Sequence, residues 1–198
     1  DGTGTSYRPG DKSTISVDNG GSTTLYAIWE RDTITINFNS NGGSNVATLS
    51  NVVLGSALAF PTPTRTGYTF NGWKYGSNST LYKGTMTVPT SWGSSVTLVA
   101  QWTKEKYNIS YYKYSTDTAA LSSKNNVEYG SSLTLYTPTA AQTPTGKYFD
   151  GWKYGNTTYK GSISSVPDFG NNGATVKLNA IWKDETYTLQ FKNGTTTH

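Results

Sequence analysis

The sequence predicts a mainly β protein with little helix, laid out as small modules in tandem. Three observations carry that prediction: period-two patterning, an internal repeat that runs along the chain, and abundant turn residues. LYAIW ends at Trp29, LVAQW at Trp102 and LNAIW at Trp182, which gives periods of 73 and 80 residues. Between those ends GYTFNGWKYG (Gly67 to Gly76) matches GKYFDGWKYG (Gly146 to Gly155), and TLYKGTMTVP (Thr80 to Pro89) matches TTYKGSISSVP (Thr157 to Pro167). NVVLGSALAF lines up with NVEYGSSLTL, so that Gly55 falls beside Gly130 and Leu58 beside Leu133.

These matches divide the chain into 1–30, the C-terminal part of a preceding repeat; 31–104 and 105–183, two complete repeats; and 184–198, the opening strand of a further one or the end of the expressed piece. A different phasing, in which a compact unit joins the tail of one repeat to the head of the next, stays open. Glu30 to Asp32, Thr103 to Lys106 and Lys183 to Glu185 read as linkers of three or four residues that carry both charge signs. Connections that short hold neighbours in a fixed sequence, and their wet, mixed charge predicts small polar contacts between modules and limited bending.

In the opening strand Ile34, Ile36 and Phe38 alternate with Thr33, Thr35 and Asn37, and Tyr187, Leu189 and Phe191 do the same downstream. In the closing strand Val96, Leu98, Ala100 and Trp102 share one face, as do Val176, Leu178, Ala180 and Trp182. That constant face is the predicted core, with Trp102 and Trp182 as anchors. Phe70 and Phe149 stand three residues before Trp73 and Trp152, the wrong parity for a flat strand to bury both aromatics. A bulge at the intervening Gly72 or Gly151 corrects it, and makes Trp73 and Trp152 the second aromatic anchors. Asn-Gly and Gly-Gly pairs at Asn19 to Gly21, Asn41 to Gly43 and Asn172 to Gly173 mark tight turns. Any helix is short and expected near Ala119 to Lys124 or before Gly67, and TAAQT (Thr139 to Thr143) reads as an inserted surface loop.

Composition narrows the function classes. Fifteen Tyr, six Trp and six Phe in a chain that is only 14% charged supply packed cores, which excludes a disordered tail. No apolar run approaches the 18 or more residues of a membrane helix, and no charged and apolar leader pattern is present, so the reading is a soluble segment without membrane insertion, processed or cut from something larger. There is no Cys, and the single His198 is the last residue and reads as a tag remnant. Thiolate and imidazole chemistry, and with them metal sites, therefore have no residues to rest on. A formal charge of +4, with 16 Lys and Arg scattered along the chain, does not point to nucleic acid.

Enzymatic chemistry is equally thin. No Asp or Glu lies between Thr33 and Lys104, so the first complete repeat has no carboxylate pair for acid–base work. Asp117, Glu128, Asp150 and Asp168 of the second have no carboxylate counterparts in the first and read as solvated surface. No cofactor motif occurs. N-x-[ST] at Asn78, Asn108, Asn156 and Asn193 is as frequent as 16 Asn and 55 Ser plus Thr produce by chance. An intramolecular Lys–Asn crosslink has no assisting acid between Thr33 and Lys104 of the first repeat.

The combination of ITINFNSNGG, P-x-R-x-GY-x-F-x-GW (Pro63 to Trp73) and a terminal [LV]-x-A-x-W resembles the Listeria-Bacteroides repeat family, the B-repeat-type modules of internalins and other bacterial surface proteins. The second repeat departs from the pattern, with TPTGKYFDGW where Arg65 and Tyr68 stand in the first. What the resemblance implies is a β-grasp-like, ubiquitin-related module, used in an elongated tandem array between a cell-envelope anchor and a distal domain, extracellular and without catalytic residues. The leading functional reading is a monomeric, non-catalytic stalk segment whose partners are the adjacent modules. The alternative is an adhesin module for a glycan, a glycosaminoglycan or a host protein. Its candidate ligand-binding residues are Tyr82, Lys83, Tyr159 and Lys160 of the repeated Y-K-G, together with the repeated W-K-Y-G. Against it stands the reading of the same pairs as cross-strand contacts with snorkelling lysines.

Overall fold

The computed structural model describes residues 19–22, 24 and 30–190. The strand ending at Trp29, most of segment 1–30, and Phe191, Asn193 and His198 lie outside the described residues.

Each complete repeat forms a five-stranded mixed sheet with a separate two-stranded ribbon. In the first, β1 (Thr33–Asn39) is antiparallel to β2 (Leu49–Val53) on one side and parallel to β7 (Ser95–Lys104) on the other. Strand β7 is antiparallel to β4 (Tyr68–Tyr75), which pairs with the short β5 (Leu81–Tyr82), giving the order β2-β1-β7-β4-β5. The ribbon is β3 (Ala57–Phe60) against β6 (Gly84–Thr87). The second repeat runs through β8 (Lys106–Tyr112), β9 (Ser122–Glu128), β10 (Leu133–Thr134), β11 (Lys147–Tyr154), β12 (Thr157–Tyr159), β13 (Ser162–Ile163) and β14 (Thr175–Asp184). Its sheet order β9-β8-β14-β11-β12 and ribbon β10-β13 repeat the first.

Period two builds these sheets as expected. Ile34, Ile36, Val96, Leu98 and Ala100 are buried in the first core, and Ile109, Val176 and Leu178 in the second. The GW strands need their extra residue. The pairing of β4 with β7 slips between Phe70 and Gly72, and that of β11 with β14 between Phe149 and Gly151, with φ of 144° and 141° at the two glycines. No L side chain takes that conformation without strain, and the slip turns Trp73 and Trp152 inward to 0% exposure. Each indole N–H then finds an acceptor at the equivalent place: Trp73 Nε1 donates to Pro61 O and Trp152 Nε1 to Tyr136 O, both at 2.7 Å.

Several expectations are corrected. Trp102 and Trp182 are half-buried; Trp102 packs against the first core, and Trp182 meets the Phe149 ring edge-on at 5.7 Å. They sit near the ends of β7 and β14, past the last fully covered positions, and donate to Ser40 O (3.0 Å) and Lys113 O (2.9 Å), carbonyls just beyond the parallel neighbour strands. No helix occupies Ala119 to Lys124, where β9 begins at Ser122, and none precedes Gly67 among the described residues. The one helical turn among the described residues, 3-10 helix Ala140–Gln142, lies in the expected loop. There Gln142 Oε1 accepts from Thr139 N (2.9 Å) and Tyr136 Oη (2.6 Å). Tyr187 and Leu189 form no strand and are 76% and 80% exposed. Strands β1 and β8 are each held between two neighbours of their own repeat, and residues 186–190 have no such neighbours among the described residues.

Candidate functional site

The four candidate Tyr and Lys residues lie on β5 and β12 and just past their ends. Tyr82 is 4% exposed and holds Trp92 and Phe60 at ring-centroid distances of 5.0 and 5.4 Å, so its faces are spent inside the core. Desolvation raises its phenol pKa. Tyr159 is half-buried and lies 6.5 Å from the Phe169 ring. Lys83 Nζ donates to Phe70 O at 2.8 Å, and Lys160 Nζ pairs with Asp150 Oδ1 at 2.5 Å. Both ammonium heads thus close over the bulge of the neighbouring strand, the arrangement of a cross-strand contact.

The rings that face outward in the repeated motifs are a different pair. Tyr75 is 38% and Tyr154 36% exposed, at the ends of β4 and β11. Each lies on an aromatic from the loop before the closing strand, Tyr75 against Trp92 at 5.6 Å and Tyr154 against Phe169 at 5.0 Å. Trp92 and Phe169 were not singled out from the sequence. Their signal was the Val-Pro shared by Val88-Pro89 and Val166-Pro167, after which the second repeat reaches its aromatic one residue sooner.

Each of the four carboxylates singled out in the second repeat has a structural partner. Asp117 accepts from Tyr114 N (3.0 Å), Glu128 pairs with Lys106 (3.4 Å), and Asp150 lies between Lys160 and Lys183 (2.8 Å). Asp168 accepts from Gly170 N (2.8 Å) and faces Tyr107 Oη (3.1 Å), which also lies 3.2 Å from Glu105 Oε2. Burial, followed by the two nearby carboxylates, pushes the Tyr107 phenol far up. Among the described residues no three His, Asp or Glu side chains gather where they would hold a metal ion, and no helix is long and apolar enough to cross a membrane.

The junction between the repeats carries more structure than the linkers predict. A single residue, Glu105, separates β7 from β8. Its N–H donates to Gly67 O at 3.0 Å, and its carbonyl accepts from Tyr129 N at 2.9 Å. The Tyr129 ring lies directly over the Cα of Gly67 and meets Tyr68 edge-on at 5.8 Å. Arg65 stacks on the other aromatic, its Cζ 3.9 Å from the Tyr68 ring centre, and donates to Asn41 O at 3.0 Å. The contact is therefore aromatic as well as polar, which corrects the expectation of small polar contacts. Half of it recurs downstream: Glu185 N donates to Gly146 O at 2.9 Å, and Lys147 pairs with Asp184 at 2.7 Å.

Two membrane proteins of Evansella cellulosilytica are similar to this chain. One, described as Gly-rich, is 28% identical over 98% of the chain, and the other is 30% identical over 85%. The chain spans only 21% and 24% of their lengths. A solved structure of streptococcal high identity repeats in tandem, domains 3-4 of a cell surface protein, aligns with 77% of this chain and 99% of its own at 16% identity. Its TM-score of 0.23 is too low for anything to follow from it. Residues 35–101, which span the sheet of the first repeat from β1 to β7, match the family model of the Listeria-Bacteroides repeat domain. By that match, and by the motifs it contains, residues 35–101 belong to the Listeria-Bacteroides repeat family.

Proposed function

We propose that this chain is a structural, non-catalytic stalk segment of a bacterial surface protein, in which β-grasp-like modules 31–104 and 105–183 stand in series and hold another domain away from the envelope. The observation that carries it is the position-for-position repetition of a core and a bulge, joined through one residue: Trp73 and Trp152 use equivalent acceptors, and Glu105 leads straight from one sheet into the next. The sheet orders support the β-grasp-like reading, since two outer hairpin pairs flank a central parallel pair, with a ribbon in place of a crossing helix. Membership of the repeat family and likeness to membrane proteins support an extracellular, surface-bound location. Segments 1–30 and 184–198 are then parts of neighbouring repeats.

Small-angle scattering on the monomer tests it. A compact domain of this length has a radius of gyration of about 16 Å, whereas two modules in line with partial repeats at both ends exceed about 20 Å. The smaller value with a bell-shaped distance distribution overturns the stalk.

A second reading, an adhesin module for a glycan, a glycosaminoglycan or a host protein, is favoured by one observation. Tyr75 and Tyr154 are exposed, backed by Trp92 and Phe169, and adjoin Lys74 and Lys153 in register. Aromatic faces with a nearby cation suit sugar rings bearing acidic groups. A glycan array separates the readings: a reproducible signal lost on Tyr75→Ala plus Tyr154→Ala supports binding, and silence supports the stalk.

A further inference from the structure

We propose that Tyr129 and Gly67 form a seat that fixes the mutual orientation of the two modules, with the bare Cα of Gly67 as the socket and the Tyr129 ring as the plug. This deepens the stalk reading and rests on it in one respect, that the modules work in series.

Three observations converge on the seat. Gly67 is buried although it lies just outside the sheet, before β4, and a Cβ built on it would overlap the Tyr129 ring. Only a residue without a side chain leaves room for the ring there. The two hydrogen bonds of Glu105, one to each module, fix the distance at which the ring arrives. Tyr129 itself follows β9, and its inner edge packs against the second core, so the ring is anchored in one module while it covers the backbone of the other. Tyr68 and Arg65 then close the side of the socket.

The repeat supplies an internal control. Gly146 has the same φ of 71° as Gly67 and accepts the equivalent bond from Glu185, yet among the described residues it is exposed, and a Cβ built on it meets no atom within 4 Å. An alanine at either glycine brings the same backbone strain, and only at Gly67 does it also displace the ring. In the first module Leu54 stands where Tyr129 stands in the second and bonds Asp32 O from its N–H at 2.9 Å, so the backbone part of the joint belongs to the repeat and the ring to this junction.

The test measures residual dipolar couplings for both modules in the full chain. The wild type, Tyr129→Phe and Gly146→Ala are expected to fit one alignment tensor across both modules. Tyr129→Ala and Gly67→Ala are expected to need two, with each module's own chemical shifts otherwise retained. A single tensor in both Tyr129→Ala and Gly67→Ala overturns the seat and leaves the stalk standing. A compact scattering profile of the wild type removes the stalk, whatever the couplings show. Should Tyr129→Ala disturb the second core, Gly67→Ala against Gly146→Ala decides alone, because neither replaces a side chain of that core.

Discussion

Lys160 Nζ lies 2.5 Å from Asp150 Oδ1, and at the same place in the first repeat Lys83 Nζ donates instead to the carbonyl oxygen of Phe70, with Asn71 where Asp150 would be. One scaffold thus carries an ionic and a neutral version of the same contact. Asn71 bonds Thr103 Oγ1 at 2.8 Å, and Asp150 reaches Lys183 at the matching position.

The first prediction concerns acid. Hydrogen bonds from Lys160, then Lys183, hold the Asp150 carboxyl below its ordinary range. A carboxylate whose folded pKa is depressed adds stability that is present above the unfolded value, about 3.9, and is lost as pH falls through the folded value. The second module therefore weakens in that acid window while Asn71 gives the first nothing to titrate. NMR titration of the Asp150 carboxyl carbon checks it, with amide exchange resolved by module. An Asp150 that titrates at or above the ordinary value, or an acid loss unchanged in Asp150→Asn, removes the explanation.

The second prediction concerns the bulges. Replacing Gly72 or Gly151 by Ala places a side chain at φ near 140°, a strain of about 1 to 3 kcal/mol. The two sites then differ in what the new methyl meets: Leu81 Cβ at 3.0 Å beside Gly72, but the fixed carbonyl oxygen of Tyr159 at 2.7 Å beside Gly151. Gly151→Ala is expected to cost more than Gly72→Ala, read as a larger loss of protection in its own module. Equal losses would mean that β12 moves aside as easily as β5, which carries Leu81.

A third prediction concerns Tyr111, which fills the place of Phe38 in the other core. Its Oη is buried and makes no hydrogen bond of good geometry among the described residues; burial raises the phenol pKa, and only the Tyr136 backbone, close by, works against that rise. A buried polar group without a partner costs about 1 to 3 kcal/mol. Tyr111→Phe removes only that hydroxyl, so stability is expected to hold or to rise by about 1 kcal/mol. A clear fall in the urea midpoint at constant slope would reveal a partner for the hydroxyl.

The sheets and both bulges could be read from the sequence because they rest on parity. Two-residue alternation put Ile36 and Leu98 inside, and the three-residue spacing of Phe70 and Trp73 required an extra residue at Gly72. The junction was hidden for the opposite reason. Nothing in the order of residues says that Tyr129, 62 positions after Gly67, arrives over its Cα; that depends on where β9 ends relative to β4 in space. The surroundings of the Y-K-G motif were hidden in a related way. Tyr82 faces Trp92 and Lys83 caps a bulge, whereas the exposed ring is that of Tyr75, one motif earlier. The fate of Trp102 shows the limit of a period: alternation names the face but not the distance from the end of the sheet.

That limit yields the last prediction, a ranking of the two tryptophans in the first core. Trp73 is wholly covered, donates to Pro61 O, and lies 4.7 Å from the ring of Phe38 and 5.4 Å from that of Phe70. Trp73→Ala leaves a cavity of nearly a whole indole and is expected to cost about 3 to 5 kcal/mol, which matches most of a small domain's total stability. Trp102 is half-buried, so part of its ring already meets water. Trp102→Ala forfeits a smaller area together with the bond to Ser40 O, itself worth about 0.5 to 1.5 kcal/mol. Trp73→Ala is therefore expected to unfold the first module at ambient temperature, while Trp102→Ala leaves it folded with a lower melting point. Both effects are expected to stay in that module, because repeats couple through their nearest-neighbour interfaces and the second core contains neither residue. Amide exchange resolved by module checks both parts. A Trp102→Ala loss equal to that of Trp73→Ala would place the closing tryptophan at the centre of the core, and loss of protection in both modules would show one cooperative unit where two are proposed.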